Sequence, residues 1–185
     1  MEDKKRQLIE LWKAVKNGFR ETDIGYAVDI LYEFASGSNT ILELGVRWGV
    51  STVAFLFGLE INNPNGRLYS VDIESCELAK ERITRLGLNK NWTFIQKNDL
   101  DLEWEKEIDL LFIDTSHFYA HTLAELDKFS KYVSRTGKIL LHDTKGANTM
   151  VPAAITRWLS TNTEWTYLEL GGEFGLGLLF RKNGI

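Results

Sequence analysis

From Thr40 onward the chain alternates short apolar runs with stretches of helical periodicity, and that alternation limits the fold more than any other feature. Thr40-Ile41-Leu42-Glu43-Leu44 ends at Gly45 and leads into a helix-like stretch from Val50 to Glu60. Leu68 to Asp72 reads as a second strand, and Glu74 to Leu86 as an amphipathic helix. Trp92 to Gln96 is a third strand, whose continuation through Asp99 and Trp104 is too polar for a clear helix. Ile108 to Ile113 is nearly continuous in apolar residues, as expected of a parallel strand covered on both faces. Leu123, Leu126, Phe129 and Val133 mark a helix that Gly137 breaks; Lys138 to His142 is a fifth strand, and Val151 to Leu159 a further helix. The tail differs: Trp165 to Leu170 and Phe174 to Phe180 are two strands joined through Gly171-Gly172, a hairpin turn. Strand–helix alternation implies right-handed crossovers and parallel pairing, while the hairpin adds at least one antiparallel strand. The expected fold is α/β, a three-layer sandwich of about seven strands.

Ahead of this pattern, Leu8, Leu11, Trp12, Val15 and Phe19 recur at helical spacing, as do Ala27, Ile30, Leu31 and Phe34. Residues 1–36 are therefore read as a helical segment, a lid or an oligomerisation contact, before one compact unit over 37–185. Trp12, Phe19 and Tyr26 are expected in the core rather than against a ligand. A length of 185 residues suits one domain, and no repeat or low-complexity linker divides it. The longest mostly apolar run, Val50 to Leu59, is about half a bilayer span, and no signal pattern precedes it, so no membrane partner is expected. Net charge is −4, and basic residues cluster only at Lys4-Lys5-Arg6, which leaves no nucleic-acid footprint. A single Cys76 fits a reducing, cytoplasmic setting.

In parallel α/β sheets, ligands bind beyond the carboxyl ends of the strands. That rule selects Glu43–Ser51, Asp72, Asp99, Asp114–His117 and His142–Thr144. Gly45 permits a tight turn and Gly49 a close approach at a helix start, where amides favour an anion and Ser51 adds a hydroxyl. Asp72 either accepts both hydroxyls of a ribose or caps the next helix; with the glycine turn before it, a nucleoside ligand leads. Arg47 and Trp48 occupy the stretch where a dinucleotide site needs a middle glycine, and no phosphate loop of the G-x-x-x-x-G-K-[ST] type exists. A nucleoside without phosphates fits best.

Glu43-x-Gly45-x-x-x-Gly49-x-Ser51 followed by Asp72 resembles the cofactor site of class I S-adenosylmethionine-dependent methyltransferases, over positions 38–181 including the closing hairpin. The resemblance implies a Rossmann-like domain with S-adenosylmethionine as cofactor. It implies the glycine loop, with Glu43, Gly45, Gly49 and Ser51, beside the methionine part of that molecule. It further implies Asp72 on the ribose, Ile73 against the adenine and Asp99 near the adenine amine.

Asp114 and Asp143 follow the fourth and fifth strands, expected neighbours, and two carboxylates at one edge repel unless a cation or proton lies between them. Oxygen ligands suit Mg²⁺ or a similar divalent ion, and His142 admits a transition metal. The alternative is a helix-capping Asp114 and an Asx-turn at Asp143, with no metal. All three histidines fall between positions 117 and 142; His121 is expected to be solvated, and His142 is either a ligand or a packed strand-end residue. Phe112-Ile113-Asp114-Thr115-Ser116-His117 followed by Leu141-His142-Asp143-Thr144 resembles a metal-assisted O-methyltransferase branch. That branch holds small bacterial domains related to macrolide sugar O-methyltransferases and cephalosporin-hydroxylase-like proteins, and more distantly catechol O-methyltransferases. The likeness implies Asp114 and Asp143 as metal ligands and His117 as base, so that His117 and Asp114 are the candidate catalytic pair. It departs at His142, where some relatives carry a ligating Glu, and at Thr144, which replaces an Asn of the catechol group.

The expected activity is S-adenosylmethionine-dependent, metal-assisted O-methylation of a hydroxyl on a small molecule or sugar. Two other readings stand beside it. One is a scaffold that binds S-adenosylmethionine without turnover; the other is an NAD-dependent oxidoreductase, which the missing glycine disfavours.

Overall fold

The computed structural model describes residues 2–147 and 149–183. Five strands, β1 (Thr40–Leu44), β2 (Arg67–Asp72), β3 (Trp92–Gln96), β4 (Ile108–Ile113) and β5 (Val133–His142), pair in parallel. A C-terminal hairpin of β6 (Trp165–Gly171) and β7 (Leu176–Arg181) adds antiparallel pairs, β7 against β5 and β6 against β7. The resulting seven-stranded sheet has the order β3-β2-β1-β4-β5-β7-β6. Strand order reverses between β1 and β4, so the crevice for a ligand opens beyond the ends of these two strands.

Among the described residues, six α-helices flank the sheet: α1 (Glu2–Asn17), α2 (Val28–Ser36), α3 (Val50–Asn62), α4 (Glu77–Leu86), α5 (Tyr119–Phe129) and α6 (Val151–Leu159). Because strand side chains alternate in direction, the sheet feeds two cores. Ile41, Leu110, Phe112 and Leu140 pack with α1, α2 and α3 on one face. Leu42, Leu44, Leu111, Ile113, Ile139 and Leu141 pack with α5 and α6 on the other. Helix α3 is apolar all round, from Val53 through Leu59, because α1 and α2 cover the side turned away from the sheet. Trp12 joins these helices, stacked on Tyr32 at 5.4 Å and tilted against Phe57 at 5.2 Å. None of the described helices is long and apolar enough to cross a membrane.

The structure departs from the periodicity in several places. Leu11, expected on the buried face of the first helix, is exposed, whereas Phe19 is buried beyond the helix end. The helix after β2 starts at Glu77 rather than Glu74, because the Glu74 amide is taken by Asp72 and Cys76 is left-handed (φ 50°). Val133 opens β5 instead of closing a helix, and Gly137 lies inside that strand. The pairing with β4 slips there, from Ile108↔Val133 to Leu110↔Lys138. A Cβ at Gly137 would stand 2.8 Å from the Ile108 carbonyl oxygen, so the irregular strand packs onto its neighbour through a bare backbone. The last strand begins at Leu176, two residues later than expected.

Candidate active site

Gly45 closes β1 with φ 90°. Its amide donates to the Val71 carbonyl at 2.9 Å, and the Asp114 amide donates to the Leu44 carbonyl at 2.8 Å. The turn is thereby pinned between β2 and β4. The following amides, of Val46 and Arg47, donate to Asp72 Oδ2 at 2.8 and 3.1 Å, and the Glu74 amide donates to Oδ1 at 2.9 Å. Asp72 thus holds the glycine loop in place. Three of its roughly four lone-pair directions are occupied, leaving room for one further donor.

A cavity of about 420 Å³, ample for a small molecule, opens between Gly45–Arg47, Val71–Ile73, Lys97–Asp99 and Asp114–Ser116, with His121 at its wall. Gly45, Asp72, Ile73, Asp99 and Asp114 therefore line one space, as do Lys97 and Asn98, from a loop that carried no sequence signal. Ile73 offers an apolar surface that is 65% exposed.

Glu43, Gly49 and Ser51 do not line it. Glu43 is fully buried and accepts from Ser51 Oγ at 2.6 Å, from Thr52 Oγ1 at 2.9 Å and from Ser70 Oγ. It points inward because side chains alternate along β1 and the strand's hydroxyl-bearing neighbours lie on that face. Gly49 instead lets α3 approach α4, since a Cβ there would lie 2.8 Å from Ala79 Cβ. Burial pushes the Glu43 carboxyl up to about 7, against the pull of the three hydroxyls. Its contribution to stability is complete below the ordinary 4.5 and is lost as pH rises through about 7, by roughly 3 kcal/mol. Glu43→Gln is therefore expected to flatten the fall in melting temperature between pH 5 and 8, and an unchanged slope would contradict this account.

At the ends of β4 and β5 two carboxylates and two imidazoles converge. His117 Nε2 lies 2.9 Å from Asp143 Oδ2 and 3.3 Å from Asp114 Oδ1. His142 Nδ1 lies 3.1 Å from Asp143 Oδ2 and 3.3 Å from Asp114 Oδ1. The parallel register Ile113↔Leu141 brings the two strand ends level. His117 (φ 57°) and Asp143 (φ 54°) are both left-handed, a conformation held here by the surrounding structure. Hydrogen bonds that His117 donates to Asp114 and Asp143 push it up to about 9. Burial would lower His142, but the same two carboxylates override it and raise it to about 10. Burial pushes Asp114 and Asp143 up, yet the two imidazoles hold both below the usual carboxylate range. His142 is almost wholly buried, and its Nε2 has no partner among the described residues. Thr144 turns away from this cluster and donates to Glu169 Oε2 at 2.7 Å.

Two expectations are corrected here. Tyr26 is not a core residue: it lies on the rim, with its ring 6.1 Å from that of His142 and against Gly172, where a Cβ would fall 1.9 Å from Tyr26 Cε2. Burial and the nearby Asp143 push its hydroxyl well above the ordinary tyrosine range. His121 is not solvated; its Nε2 sits 3.1 Å from Asp99 Oδ2 and 3.5 Å from Glu125 Oε1. Asp99 thus reaches the cavity wall with its carboxylate already engaged. Glu125 escaped the sequence reading, although its i,i+4 spacing from His121 placed both on one helix face. Burial pushes Glu125 up to about 7, and Glu125 in turn raises His121 to about 9.

Known proteins share this arrangement of strands. The O-methyltransferase from Bacillus cereus in complex with S-adenosylhomocysteine is 18% identical, with a TM-score of 0.70 over 96% of this chain and 90% of that one. The S-adenosylhomocysteine-bound methyltransferase of Podospora anserina is 16% identical, with a TM-score of 0.66 over 95% and 88%. The O-methyltransferase TomG from Streptomyces achromogenes, involved in tomaymycin synthesis and in complex with S-adenosylmethionine, is 15% identical, with a TM-score of 0.62 over 85% and 80%. No curated protein matches by sequence. Residues 42–144, more than half of the chain and the stretch from within β1 past Asp143, match the methyltransferase domain family. With the Rossmann-like sheet, the glycine turn and the cavity between β1 and β4 in place, the chain belongs to the methyltransferase domain family.

Proposed function

We propose that this protein transfers a methyl group from S-adenosylmethionine to a hydroxyl oxygen of a small molecule or sugar, with assistance from a divalent cation. One observation carries the reading: Asp114 lines the nucleoside-sized cavity and also belongs to the cluster with His117, His142 and Asp143. Donor and acceptor chemistry therefore meet at one residue. The O-methyltransferases among the structural relatives, and the likeness to the macrolide sugar O-methyltransferase and cephalosporin-hydroxylase-like branch, support oxygen as the acceptor atom. The buried thiol of Cys76 suits a cytoplasmic setting.

The donor set fits a divalent ion. Asp114, His117 and Asp143 each offer a ligand atom within 4.8 Å of the other two, and His142 Nδ1 lies 3.3 and 3.1 Å from the same two carboxylates, so oxygen and nitrogen ligands converge. Held by Asp114, Asp143 and His142, Mg²⁺ or a similar ion would supply the Lewis acidity that lowers the pKa of an acceptor hydroxyl.

The chain's own residues do the rest. Asp72 holds the Val46 and Arg47 amides and one ribose hydroxyl, Ile73 covers the adenine, and bare Gly45 admits the methionine part. Positioning is a large share of such catalysis, because transfer is an in-line displacement. The methyl C–S bond breaks as the new C–O bond forms, S-adenosylhomocysteine leaves, and the hydroxyl proton passes to His117 Nε2. The facing carboxylates keep His117 protonated until their charge is compensated, whereupon Nε2 is free to accept. Tyr26 and Phe174, whose rings lie 6.1 and 6.4 Å from that of His142, border the acceptor side.

Calorimetric titration with S-adenosylmethionine and S-adenosylhomocysteine, with and without Mg²⁺ and with NAD as control, tests the donor half. Micromolar binding of the first two and none of NAD is expected. Asp72→Asn, which keeps the side chain's shape, is expected to weaken binding by about 10–100-fold through loss of charge-assisted hydrogen bonds. A folded sample that binds neither molecule would sink the proposal; binding without turnover of any hydroxylated acceptor would reduce it to a scaffold.

A further inference from the structure

We infer that Asp99, His121 and Glu125 form a second cation site, separate from Asp114 and Asp143 and suited to a transition ion of the Zn²⁺ class. Asp99 lies in the turn after β3, while His121 and Glu125 sit one helical turn apart on α5. One ligand atom from each lies within 4.8 Å of the other two. Glu125 is fully buried and Asp99 nearly so.

Charge counting shows what the cluster lacks. Two carboxylates share one imidazole, so beside a protonated His121 the second carboxylate needs either a proton of its own or a cation in the cluster. Lys128, the nearby cation, bonds instead to the backbone carbonyls of Asp99 and Leu100. A second, independent sign is an orphaned atom. Glu125 Oε1 accepts the Thr115 hydroxyl at 2.7 Å, but Oε2 is buried with no partner among the described residues. A divalent ion with a neutral His121 brings the cluster to zero charge and compensates the buried Glu125 carboxylate, whose Oε2 the described residues leave without a donor.

The ligand chemistry narrows the ion. Imidazole nitrogen and carboxylate oxygen are both ligand kinds that bind Zn²⁺, and three of them is the number found in zinc sites that keep a fourth position open. They are too few oxygens for Ca²⁺, and the imidazole disfavours Mg²⁺. Asp99 and His121 both line the nucleoside cavity, so the ion clamps the β3 turn to α5 across that wall. The competing occupant is a proton shared between Asp99 and Glu125, and the test separates the two.

Metal-stripped full-length protein would be titrated with Co²⁺, read by visible absorption, and then with Zn²⁺ in competition. Wild-type protein is expected to show a Co²⁺ spectrum that Zn²⁺ abolishes, and Asp143→Asn, which breaks the set at Asp114 and Asp143, to keep the share given by Asp99, His121 and Glu125. Glu125→Gln and Asp99→Asn are expected to weaken it by more than the about 10–100-fold that loss of an outer-sphere partner costs. Should either of these two variants fail to fold, the Zn²⁺-dependent rise in melting temperature, compared in wild type and Asp143→Asn, carries the same test. The inference is overturned if wild type gives no spectrum, if Asp143→Asn alone removes it, or if Glu125→Gln and Asp99→Asn bind like wild type. Failure of donor binding would leave this site untouched, so the two proposals fall separately.

Discussion

Asp143→Asn is expected to lower turnover by about 10²–10⁴-fold while leaving S-adenosylhomocysteine affinity within about threefold, the signature of a residue that serves the proton and not the donor. Asp143 Oδ2 faces both His117 and His142, yet Asp143 does not line the cavity between β1 and β4. Asparagine tolerates the left-handed backbone at this position, so the fold is expected to survive. The change removes one of the two carboxylates that raise both imidazoles, and the pH–rate profile should move with them. In chelated protein the stability loss has a defined direction. His117 and His142 have folded-state values above the ordinary 6.5, near 9 and 10, so their contribution is full below pH 6.5 and fades as pH rises through those values. Denaturant midpoints of wild type and Asp143→Asn should therefore differ most near pH 6 and converge toward pH 10. Equal turnover in the two proteins would remove Asp143 from the mechanism.

Gly45→Ala is expected to cost about 3 kcal/mol or more and to abolish donor binding. Two effects combine. The residue is left-handed, and a Cβ would stand 1.9 Å from the Asp114 carbonyl oxygen and 2.7 Å from its carbonyl carbon. Both atoms are backbone, so relief requires β1 and β4 to part at the point where the cavity and the His–Asp cluster meet. Gly87→Ala provides the control: its φ is 69°, but nothing lies within 4 Å of the added carbon. That variant should lose only the conformational penalty of about 1–2 kcal/mol and bind S-adenosylhomocysteine like wild type. Denaturant midpoints and calorimetric titration of the two variants check this. Equal losses would mean that strain at Gly45, not the approach of Asp114, matters.

The glycine turn shows why local patterns were readable. Gly45 and Asp72 follow apolar runs whose lengths and alternation already specify strands, and a strand end in a parallel sheet is where ligands bind. Gly49 and Ser51 belong to the same motif but serve the interior, since which side of a turn faces a ligand depends on the helix packed behind it. Glu43 is the clearer case. Its spacing from Gly45 was visible, whereas its three hydroxyl partners come from β2 and α3 and required the folded chain.

Local order alone thus determined the alternation of strands and helices, the antiparallel hairpin and the places where the chain turns beyond a strand. These depend on side-chain periodicity and backbone freedom, which act over a few residues. The tertiary structure decided what met at those turns. Parallel register set Asp114 level with His142 and Asp143; the approach of α5 to the β3 turn tied His121 and Glu125 to Asp99; and the closing hairpin drew Tyr26 out of the core to the rim. Such meetings join residues far apart in the chain, and their geometry follows from how layers pack, which no spacing along the sequence records.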